Sequence, residues 1–260
     1  MKQTQKISII TPTFNSESFI KFTYQSILNQ TYKNWEWLVT DDNSSDNTCF
    51  ILAGIAQEDS RVIFTTQTKN SGAAVTRNIS LSLATGELVA FVDSDDLWMP
   101  NKLEKQVKFM SKGIDFSFTA YELINSKGIS LNRIIDETKG ISVNYNDMLR
   151  KKATIGCSTV IIRRSSFSSL SMPLIRTGQD YAFWLKLLKS GKKAYLLPDV
   201  LTRYRILPNS ISRNKVKKAQ RQWQIYRKIE KIALIPSIIN FCFYAWRATI
   251  KLPIKNKQKA

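Results

Sequence analysis

Runs of apolar residues alternate with amphipathic segments along the amino-terminal part of the chain. Short runs of mainly β-branched, aromatic and other apolar residues predict strands at Ile7–Thr11, Trp35–Thr40, Val62–Thr65 and Leu88–Val92. The segments between them predict helices at Glu17–Leu28, Asn47–Gln57 and Ala73–Ala84, with Gly86 as the C-terminal cap of the third. Strands that alternate with helices of this length predict βαβ units, a mostly parallel sheet and right-handed crossovers.

The pattern after these strands is mixed. It predicts helices at Asn101–Met110, Asn146–Lys152 and Asp180–Lys189, and strands at Asp115–Ile124, Ser158–Ile162 and Ala194–Leu197. The polar stretch Lys127–Lys139 predicts a hairpin or a loose loop. Since no internal repeat and no Gly/Ser-rich linker interrupts the sequence, residues 1–211 are predicted to form one α/β domain.

The composition limits the chemistry that the chain can perform. Of its 260 residues, 43% are apolar, which is enough for a well-packed core. Cys49, Cys157 and Cys242 lie far apart, which indicates neither a zinc motif nor a disulfide framework and favours a reducing compartment. Histidine is absent from the sequence, so Ser-His-Asp and Cys-His sites and histidine-ligated metals are excluded. Acid–base chemistry must therefore use carboxylates, or lysine or tyrosine.

A cluster of carboxylates, Asp93, Asp95 and Asp96, follows the strand that ends at Val92. Like charges this close repel one another, so the cluster by itself gives the fold little stability. Carboxylate oxygens are preferred ligands of Mg²⁺ and Mn²⁺, and open α/β sheets place their ligands at the carboxyl ends of strands. Asp93 and Asp95 therefore predict a divalent metal site. For Asp96, a solvated acidic turn that caps the next helix is an equally good interpretation.

Six segments of the chain match one known family in the same order. They are Ser8–Asn15 (SIITPTFN), Asp41–Thr48 (DDNSSDNT), Asn70–Asn78 (NSGAAVTRN), Phe91–Asp96 (FVDSDD), Gly178–Leu185 (GQDYAFWL) and Tyr204–Ser212 (YRILPNSIS). With these segments the chain resembles the family 2 glycosyltransferases, which are inverting enzymes on the GT-A fold. The resemblance implies a Rossmann-like, mostly parallel sheet flanked by helices. It also implies a nucleotide-sugar donor and a Mg²⁺ or Mn²⁺ cofactor.

The resemblance assigns the nucleotide site to the ends of the first two strands. Thr11, Pro12 and Thr13 would line the nucleotide pocket. Asp42 would accept a hydrogen bond from the base, which for uracil comes from N3–H. The structural alternative for Asp42 is capping of the following helix, although its polar neighbours could supply that cap instead.

The resemblance also assigns the groups around the diphosphate. Arg77 would help to hold the base or the diphosphate, and the alternative is a solvated helix arginine. Asp93 would hold the ribose or a metal-bound water, and Asp95 would bind the metal directly. The metal would stabilise the leaving nucleoside diphosphate as a Lewis acid.

Asp180 would be the catalytic base that takes the proton from the acceptor hydroxyl. The family opens this helix with a Glu-Asp pair, and Gln179 replaces its first member here, so the pair is incomplete. The alternative for Asp180 is an N-cap of the helix, for which aspartate is well suited. Trp184 is predicted to lie in the core rather than beneath a sugar.

A second departure from the family lies in the last matching segment. Leu207 stands where many relatives carry a histidine, in a loop that closes over the diphosphate. Leucine can neither bind a metal nor donate to a phosphate. Arg203, Arg205 and Arg213 are the nearby residues that could carry the phosphate contact.

The net charge of +19 is concentrated toward the carboxyl terminus. Residues 186–260 contain nineteen Lys and Arg against two acidic residues, which leaves +2 for the rest of the chain. Residues 212–260 are predicted to form a basic helical C-terminal extension, in which the apolar and aromatic run Ile232–Ile250 follows a basic helix. Pro236, Asn240 and Arg247 interrupt this run, so it predicts an in-plane segment on an anionic membrane surface rather than a membrane span. The alternative is a helix that folds back on the domain.

Together these expectations describe a cytoplasmic enzyme, peripheral on the inner face of the plasma membrane. It would transfer a sugar from a UDP-sugar to a lipid-linked or cell-surface glycan, as in bacterial surface polysaccharide assembly. The apolar piece Ile7–Ile10 is too short for a signal peptide.

Two other functions compete with this interpretation. A metal-dependent nucleotidyltransferase is disfavoured by the helix motif at Asp180 and by the lack of a Gly-rich phosphate loop after the first strand. A nucleic-acid-binding module built on the basic tail is disfavoured because an acidic pocket in a nearly neutral body would repel the phosphate backbone. We therefore expect no nucleic-acid partner.

Overall fold

The computed structural model describes residues 4–136, 142–207 and 215–250. Its strands are β1 (Ile7–Thr13), β2 (Trp35–Asp41), β3 (Val62–Thr66), β4 (Leu88–Phe91), β5 (Leu97–Trp98), β6 (Phe116–Ile124), β7 (Ser130–Ile135), β8 (Ser142–Val143), β9 (Ile161–Arg163) and β10 (Ala194–Arg205). Its helices are α1 (Ile20–Leu28), α2 (Thr48–Glu58), α3 (Ala73–Ser82), α4 (Lys102–Met110), α5 (Tyr145–Leu149), α6 (Gln179–Leu188), α7 (Lys215–Gln224) and α8 (Leu234–Ile250). A π-helical turn (Ile225–Ile229) continues α7.

One sheet runs through the described residues in the order β3-β2-β1-β4-β9-β6-β10-β5, with β7 beside β6 and β8 beside β10. The strands β3, β2, β1 and β4 are parallel, as the βαβ pattern predicted. β9 runs antiparallel to both β4 and β6, and β6 and β10 are again parallel. This is the GT-A architecture expected from the sequence, a mostly parallel sheet flanked by helices.

Two hydrophobic cores lie on opposite faces of the sheet. On β1, Ile9 belongs to the core shared with α1, α2 and α4, whereas Ile10 belongs to the core shared with α3, α5, α6 and the π-helical turn. Successive side chains of a strand point to opposite faces, and helices cover both faces here. Both isoleucines are therefore fully buried, as is every other residue of the strand, including its polar Ser8, Thr11 and Thr13.

The second half of the sheet differs from the prediction at one strand. The strand expected at Ser158–Ile162 begins only at Ile161. Ser158 lies instead in a 3-10 turn, Cys157–Thr159, where its hydroxyl donates to the Asp96 carboxylate at 2.5 Å. The 3-10 turn thus places the Ser158 hydroxyl against a carboxylate from a distant segment.

β10 is much longer than the predicted strand, which ended at Leu197. It continues to Arg205, and its register against β6 shifts between Leu197 and Thr202. These irregularities accommodate Pro198, which has no N–H to donate to the ladder. The polar stretch after β6 contains β7, which forms a hairpin with β6. This confirms the prediction for that stretch up to Asp136.

Gly86 does not cap α3, so that prediction was wrong. The helix ends at Ser82, and Leu83 occupies its C-cap position. A Cβ atom at Gly86 would lie 2.7 Å from both the Lys6 carbonyl oxygen and the Ser8 nitrogen. Glycine is needed here because the backbone entering β4 passes too close to β1 for any side chain.

The carboxyl-terminal helices fold back on the domain. Ile225 and Tyr226 of the π-helical turn are buried in the same core as Trp184, and the Tyr226 hydroxyl donates to the Leu149 carbonyl. The expected domain boundary after residue 211, together with Arg213, and the lysines beyond residue 250 lie outside the described residues. Among the described helices, none is long and apolar enough to cross a membrane.

Candidate active site

The candidate site lies where β1, β2 and β4 end at one edge of the sheet. These strands are neighbours and parallel, so the residues that follow them converge. Thr13 ends β1, Asp42 follows β2, and Asp93 follows β4. The Asp42 N–H donates to the Thr13 carbonyl at 2.8 Å, which joins the first two of these ends. The carboxyl edge of such a sheet is where open α/β folds place their ligands.

The Asp42 carboxylate holds the loop that enters α3. It accepts hydrogen bonds from the N–H groups of Ser71 at 2.7 Å and Gly72 at 2.8 Å, and from the Gln67 amide at 2.9 Å. It does not cap α2, since the Asp46 carboxylate accepts from the first N–H of that helix at 3.0 Å. The capping alternative for Asp42 is therefore wrong, and its contact with a base stays a prediction.

The three residues assigned to the nucleotide pocket differ in their surroundings. Thr11 has no exposed surface, and its hydroxyl accepts from the Trp37 indole N–H at 2.8 Å, so its side chain is part of the core. The expectation that Thr11 lines the nucleotide pocket stays a prediction. Pro12 is buried as well. Thr13 is nearly buried, and its hydroxyl has no hydrogen-bond partner among the described residues.

Arg77 is a buried cation at the centre of the site. Its side chain is on α3 with 5% of the residue exposed, and one terminal nitrogen forms an ion pair with Asp93. The alternative of a solvated helix arginine is therefore wrong. Its Nε and second terminal nitrogen are buried without a partner among the described residues. Buried donors without partners cost free energy unless a ligand satisfies them.

The charges around Arg77 bring Asp180 into the same cluster. Burial opposes the charged form of Arg77, but Cys157, Asp93 and Asp180 raise its pKa above the ordinary value. Burial also raises the pKa of the Cys157 thiol well above its usual range. Burial raises the pKa of Tyr204 well above its ordinary value, and the charges of Asp96, Asp93 and Asp180 add to that shift. Asp93 pairs with this guanidinium directly, whereas Asp180, from a distant segment, acts on it only through its charge.

Asp95 is the carboxylate best suited to attract a cation. Burial and the neighbouring charge of Asp93 raise its pKa to about 6, while Arg205 and Arg77 oppose that shift. A carboxylate whose ionisation is disfavoured by burial and by a like charge is stabilised by a bound divalent cation. No three acidic or sulfur ligands converge on one point in the described part of the chain.

Asp96 is a buried carboxylate whose hydrogen bonds connect distant segments. It is almost fully buried, and its carboxylate accepts from the Ser158 hydroxyl at 2.5 Å and from the Arg205 N–H at 2.8 Å. Burial and the charges of Asp95 and Asp93 raise its pKa well above the ordinary value. The suggested alternative, a solvated turn that caps the next helix, is wrong, because Asp96 joins β4, β10 and the 3-10 turn.

Asp180 lies in the first turn of α6. Gly178, with a φ of 74°, occupies the N-cap position, and Asp180 is the second residue of the helix. The N-cap alternative is therefore wrong. A negative charge near a helix N-terminus is stabilised by the helix dipole. Trp184 is fully buried, with its ring 5.4 Å from those of Phe91 and Phe116, which confirms its place in the core.

The arginines suggested as phosphate contacts have other partners. The Arg205 guanidinium donates to the carbonyls of Asp95 at 2.7 Å and Ser126 at 2.9 Å, so it fixes the acidic turn. Arg203 lies 3.4 Å from the Glu122 carboxylate. Arg213 lies outside the described residues. Arg77, with two nitrogens that have no partner among the described residues, stays a candidate for a phosphate contact.

A family model described as "Glycosyl transferase family 2" matches residues 8–170. The matched part contains the acidic edge with Asp42, Arg77, Asp93 and Asp95, and it covers more than half of the chain. The chain belongs to glycosyl transferase family 2. The expectation of a glycosyltransferase enzyme is thereby confirmed. The matched part ends before Asp180, so the role of that residue stays a proposal.

Two relatives match this family 2 glycosyltransferase over most of its length. It is 43% identical to TuaG of Bacillus subtilis (strain 168), named as a teichuronic acid biosynthesis glycosyltransferase, over 94% of this chain and 96% of that one. It is 40% identical to WfgD of Escherichia coli over 84% of each chain. WfgD is named a UDP-Glc:α-D-GlcNAc-diphosphoundecaprenol β-1,3-glucosyltransferase.

Solved structures share the fold. Staphylococcus aureus TarS (residues 1–349) in complex with UDP-GlcNAc matches 98% of this chain and 76% of its own, with a TM-score of 0.73 and 21% identity. The mannosyltransferase PcManGT of Pyrobaculum calidifontis in complex with GDP-Man and Mn²⁺ matches 94% of this chain and 70% of its own, with a TM-score of 0.66 and 20% identity.

Family membership displaces both alternative functions, the nucleotidyltransferase and the non-enzymatic module. Sequence reasoning also missed residues that shape the site. Ser158 joins Asp93 to Asp96, since its hydroxyl accepts from the Asp93 N–H at 3.0 Å. Gln67 bridges Asp42 and Thr76. A lone serine and a lone glutamine between regular elements carry no signal that could have identified them.

Proposed function

We propose that this family 2 glycosyltransferase is an inverting enzyme that transfers a sugar from a UDP-sugar to a hydroxyl group of a lipid-linked glycan. The observation that carries the proposal is the buried guanidinium of Arg77, which pairs with Asp93 and keeps two nitrogens without a partner among the described residues. The relatives support the choice of substrates. WfgD is named for a UDP-Glc donor and a diphosphoundecaprenol-linked acceptor, and TarS binds UDP-GlcNAc.

Arg77 is suited to hold the donor diphosphate. Its ion pair with Asp93 fixes the guanidinium, and its two free nitrogens can donate to phosphate oxygens. Asp93 then has the ribose or a metal-bound water as its remaining partner. Asp42 and Thr13 lie at the adjacent strand ends, where we place the base.

The residues also fit a divalent metal at Asp95. Burial and the charge of Asp93 destabilise the ionised form of the Asp95 carboxylate. A bound cation would offset this cost. Because the described residues form no closed cage of three protein ligands, diphosphate oxygens and water would complete the coordination of Mg²⁺ or Mn²⁺. When bound, the metal supplies Lewis-acid stabilisation to the leaving diphosphate. The Mn²⁺ complex of PcManGT is consistent with this.

Asp180 is suited to be the base of a single displacement. Inversion needs one group that removes the proton from the attacking hydroxyl and needs no enzyme nucleophile. Asp180 stands in the first turn of α6, and no hydrogen bond to its carboxylate occurs in the described parts of the chain. A carboxylate without a competing donor can accept the proton of the acceptor hydroxyl.

The test is Asp180→Asn, assayed for sugar transfer and, separately, for UDP-sugar binding across a panel of donors. Transfer should fall by about 10²–10⁴-fold, while donor affinity stays within experimental error and the unfolding free energy falls by less than about 1 kcal/mol through the lost interaction with the helix dipole. Trp184→Phe serves as a control, because it alters the same helix through packing and should act on stability. A variant that transfers at the wild-type rate per folded molecule would remove Asp180 from the mechanism.

We further propose that α8 lies on the anionic inner face of the plasma membrane, which would make the enzyme peripheral. Large apolar side chains on this helix are exposed: Leu234, Ile235, Ile238, Ile239 and Trp246. Ser237 and Asn240 are buried against the domain instead. A helix that buries its polar residues and exposes an apolar face is suited to a lipid surface rather than to water.

A matched pair of substitutions tests this contact. Ile235→Ser on α8 removes a side chain that is 72% exposed, and Ile129→Ser in the β6–β7 loop removes one that is 60% exposed. Only the first should weaken binding to vesicles that contain anionic lipid, by about tenfold if the side chain inserts fully. Equal vesicle binding by both variants would exclude a membrane contact of this face.

A further inference from the structure

A cavity of about 280 Å³ lies beside the helix that carries Asp180, between α7 with its π-helical turn and the loop that enters α6. Its lining residues are Ile175, Arg176, Thr177, Arg221, Gln224, Ile225, Lys228 and Ile229. It contains no residue of the acidic edge, so it is distinct from the donor site described above.

The lining has two chemically different parts. Ile175, Ile225 and Ile229 form an apolar wall, and Arg176, Arg221 and Lys228 supply positive charge. No acidic residue lines the cavity, and no ion pair within the described residues involves these three cations. A cavity with an apolar wall and unneutralised cations fits a ligand that joins an anion to a hydrocarbon chain.

The cavity is coupled to the position of Asp180 through Gly178. A Cβ atom at Gly178 would lie 2.8 Å from Arg221 Cδ and 3.2 Å from Ile225 Cδ1. The side chains of the cavity therefore pack directly on the backbone of the residue that begins α6. The turn at Ile225–Ile229 is π-helical, a rare form that is frequent at functional sites.

We propose that this cavity binds the diphosphate and the first isoprenoid unit of a polyprenyl-diphosphate-linked acceptor. The proposal rests on the function proposed above and adds where the acceptor is held. Arg176 and Lys228 would contact the diphosphate, and the isoleucines would contact the hydrocarbon. The acceptor sugar would then extend past Gly178 toward Asp180. α7 packs on α8 through Trp223 and Phe241, so the cavity adjoins the helix that we place on the membrane.

The experiment uses the full chain with Lys228→Glu, and with Lys193→Glu as a control of equal charge change. Lys193 is exposed in the turn before β10 and does not line the cavity. Arg221 is left unchanged because it packs on Gly178. Two acceptors carry the same sugar, one on farnesyl diphosphate and one on a neutral alkyl chain. UDP-sugar hydrolysis without acceptor is measured in parallel.

Lys228→Glu should raise KM for the diphosphate acceptor about tenfold and leave KM for the neutral acceptor and the hydrolysis rate unchanged. Lys193→Glu should change none of these values. The proposal would be overturned if Lys228→Glu changed KM equally for both acceptors. It would also be overturned if Lys228→Glu and Lys193→Glu changed KM for the diphosphate acceptor equally. If the wild-type protein neither hydrolyses UDP-sugars nor transfers their sugar, the proposed function is wrong.

A binding experiment tests the proposed ligand of the cavity independently of enzyme activity. Calorimetry with UDP present compares farnesyl diphosphate, farnesol and inorganic diphosphate on the wild-type protein and on Lys228→Glu. The cavity should bind farnesyl diphosphate more tightly than either fragment, and Lys228→Glu should weaken that binding about tenfold. Tighter binding of inorganic diphosphate than of farnesyl diphosphate, or binding that Lys228→Glu leaves unchanged, would overturn the proposal.

Discussion

Glu36 offers a quantitative test of how the sheet is stabilised at the edge opposite the site. It lies near the start of β2 with 4% of its surface exposed. Its carboxylate accepts from the Lys6 ammonium at 2.6 Å, the Ser8 hydroxyl at 2.6 Å and the Thr85 N–H at 2.9 Å. These donors come from the residue before β1, from β1 and from the loop before β4. One carboxylate therefore ties three segments of the parallel sheet together.

The magnitude follows from the pKa. Burial by itself would raise the pKa of Glu36, but the hydrogen bonds from Lys6, Ser8 and Thr85 outweigh it and lower the pKa from 4.5 to about 2. At ~1.4 kcal/mol per pKa unit this corresponds to ~3 kcal/mol. We expect about 2 kcal/mol, because the Lys6 side chain is 42% exposed and solvent weakens its contribution.

The sign of the pH dependence is fixed by the lowered pKa. The folded state binds the proton more weakly than the unfolded state, so the stabilisation is complete above about pH 4.5 and is lost as pH falls toward 2. Glu36→Gln removes this titration while keeping the shape of the side chain. The variant should be about 2 kcal/mol less stable than the wild type at pH 7 and only about 0.5 kcal/mol less stable at pH 2.5.

The assay is urea unfolding at a series of pH values, with the slope against urea checked for constancy. Glu87→Gln is the control, since Glu87 is exposed next to the same loop and should change stability by less than about 0.5 kcal/mol. A difference between Glu36→Gln and wild type that stays constant from pH 7 to pH 2.5 would refute the reasoning.

Three further predictions concern the site and the close approach at β1. Asp95→Asn should abolish metal-dependent transfer and leave the unfolding free energy unchanged or higher, since it removes a destabilised charge; full activity of the wild type in excess EDTA would contradict the metal. Arg77→Lys keeps the charge but loses the free donors, so calorimetry should show about tenfold weaker UDP binding, and an unchanged affinity would remove Arg77 from the donor site. Gly86→Ala should lower the unfolding free energy by about 2 kcal/mol because its Cβ meets backbone atoms at 2.7 Å. Gly54→Ala, with nothing within 4 Å of its Cβ, should not destabilise, and equal effects of the two would contradict the steric argument.

The sequence by itself determined the parallel half of the fold. Its strands and helices follow local periodicities, and an apolar run covered on both faces needs no distant partner to be recognised. The convergence of Thr13, Asp42 and Asp93 was also predictable, because neighbouring parallel strands end at the same edge. The placement of Trp184 in the core followed from the same helical pattern.

Only the tertiary structure decided what each polar residue of the site does. Asp95 and Asp96 are adjacent in sequence, yet Asp96 faces Ser158 and Arg205, which come from segments far along the chain. The sequence allows Arg77 to be either a solvated residue or a ligand contact. Only the structure shows that its side chain is buried and paired with Asp93. The physical reason is that burial and hydrogen bonding determine the charge state of a polar side chain and the hydrogen bonds that it can still make with a ligand. Both depend on partners that the fold, and not the neighbouring sequence, brings within 3 Å.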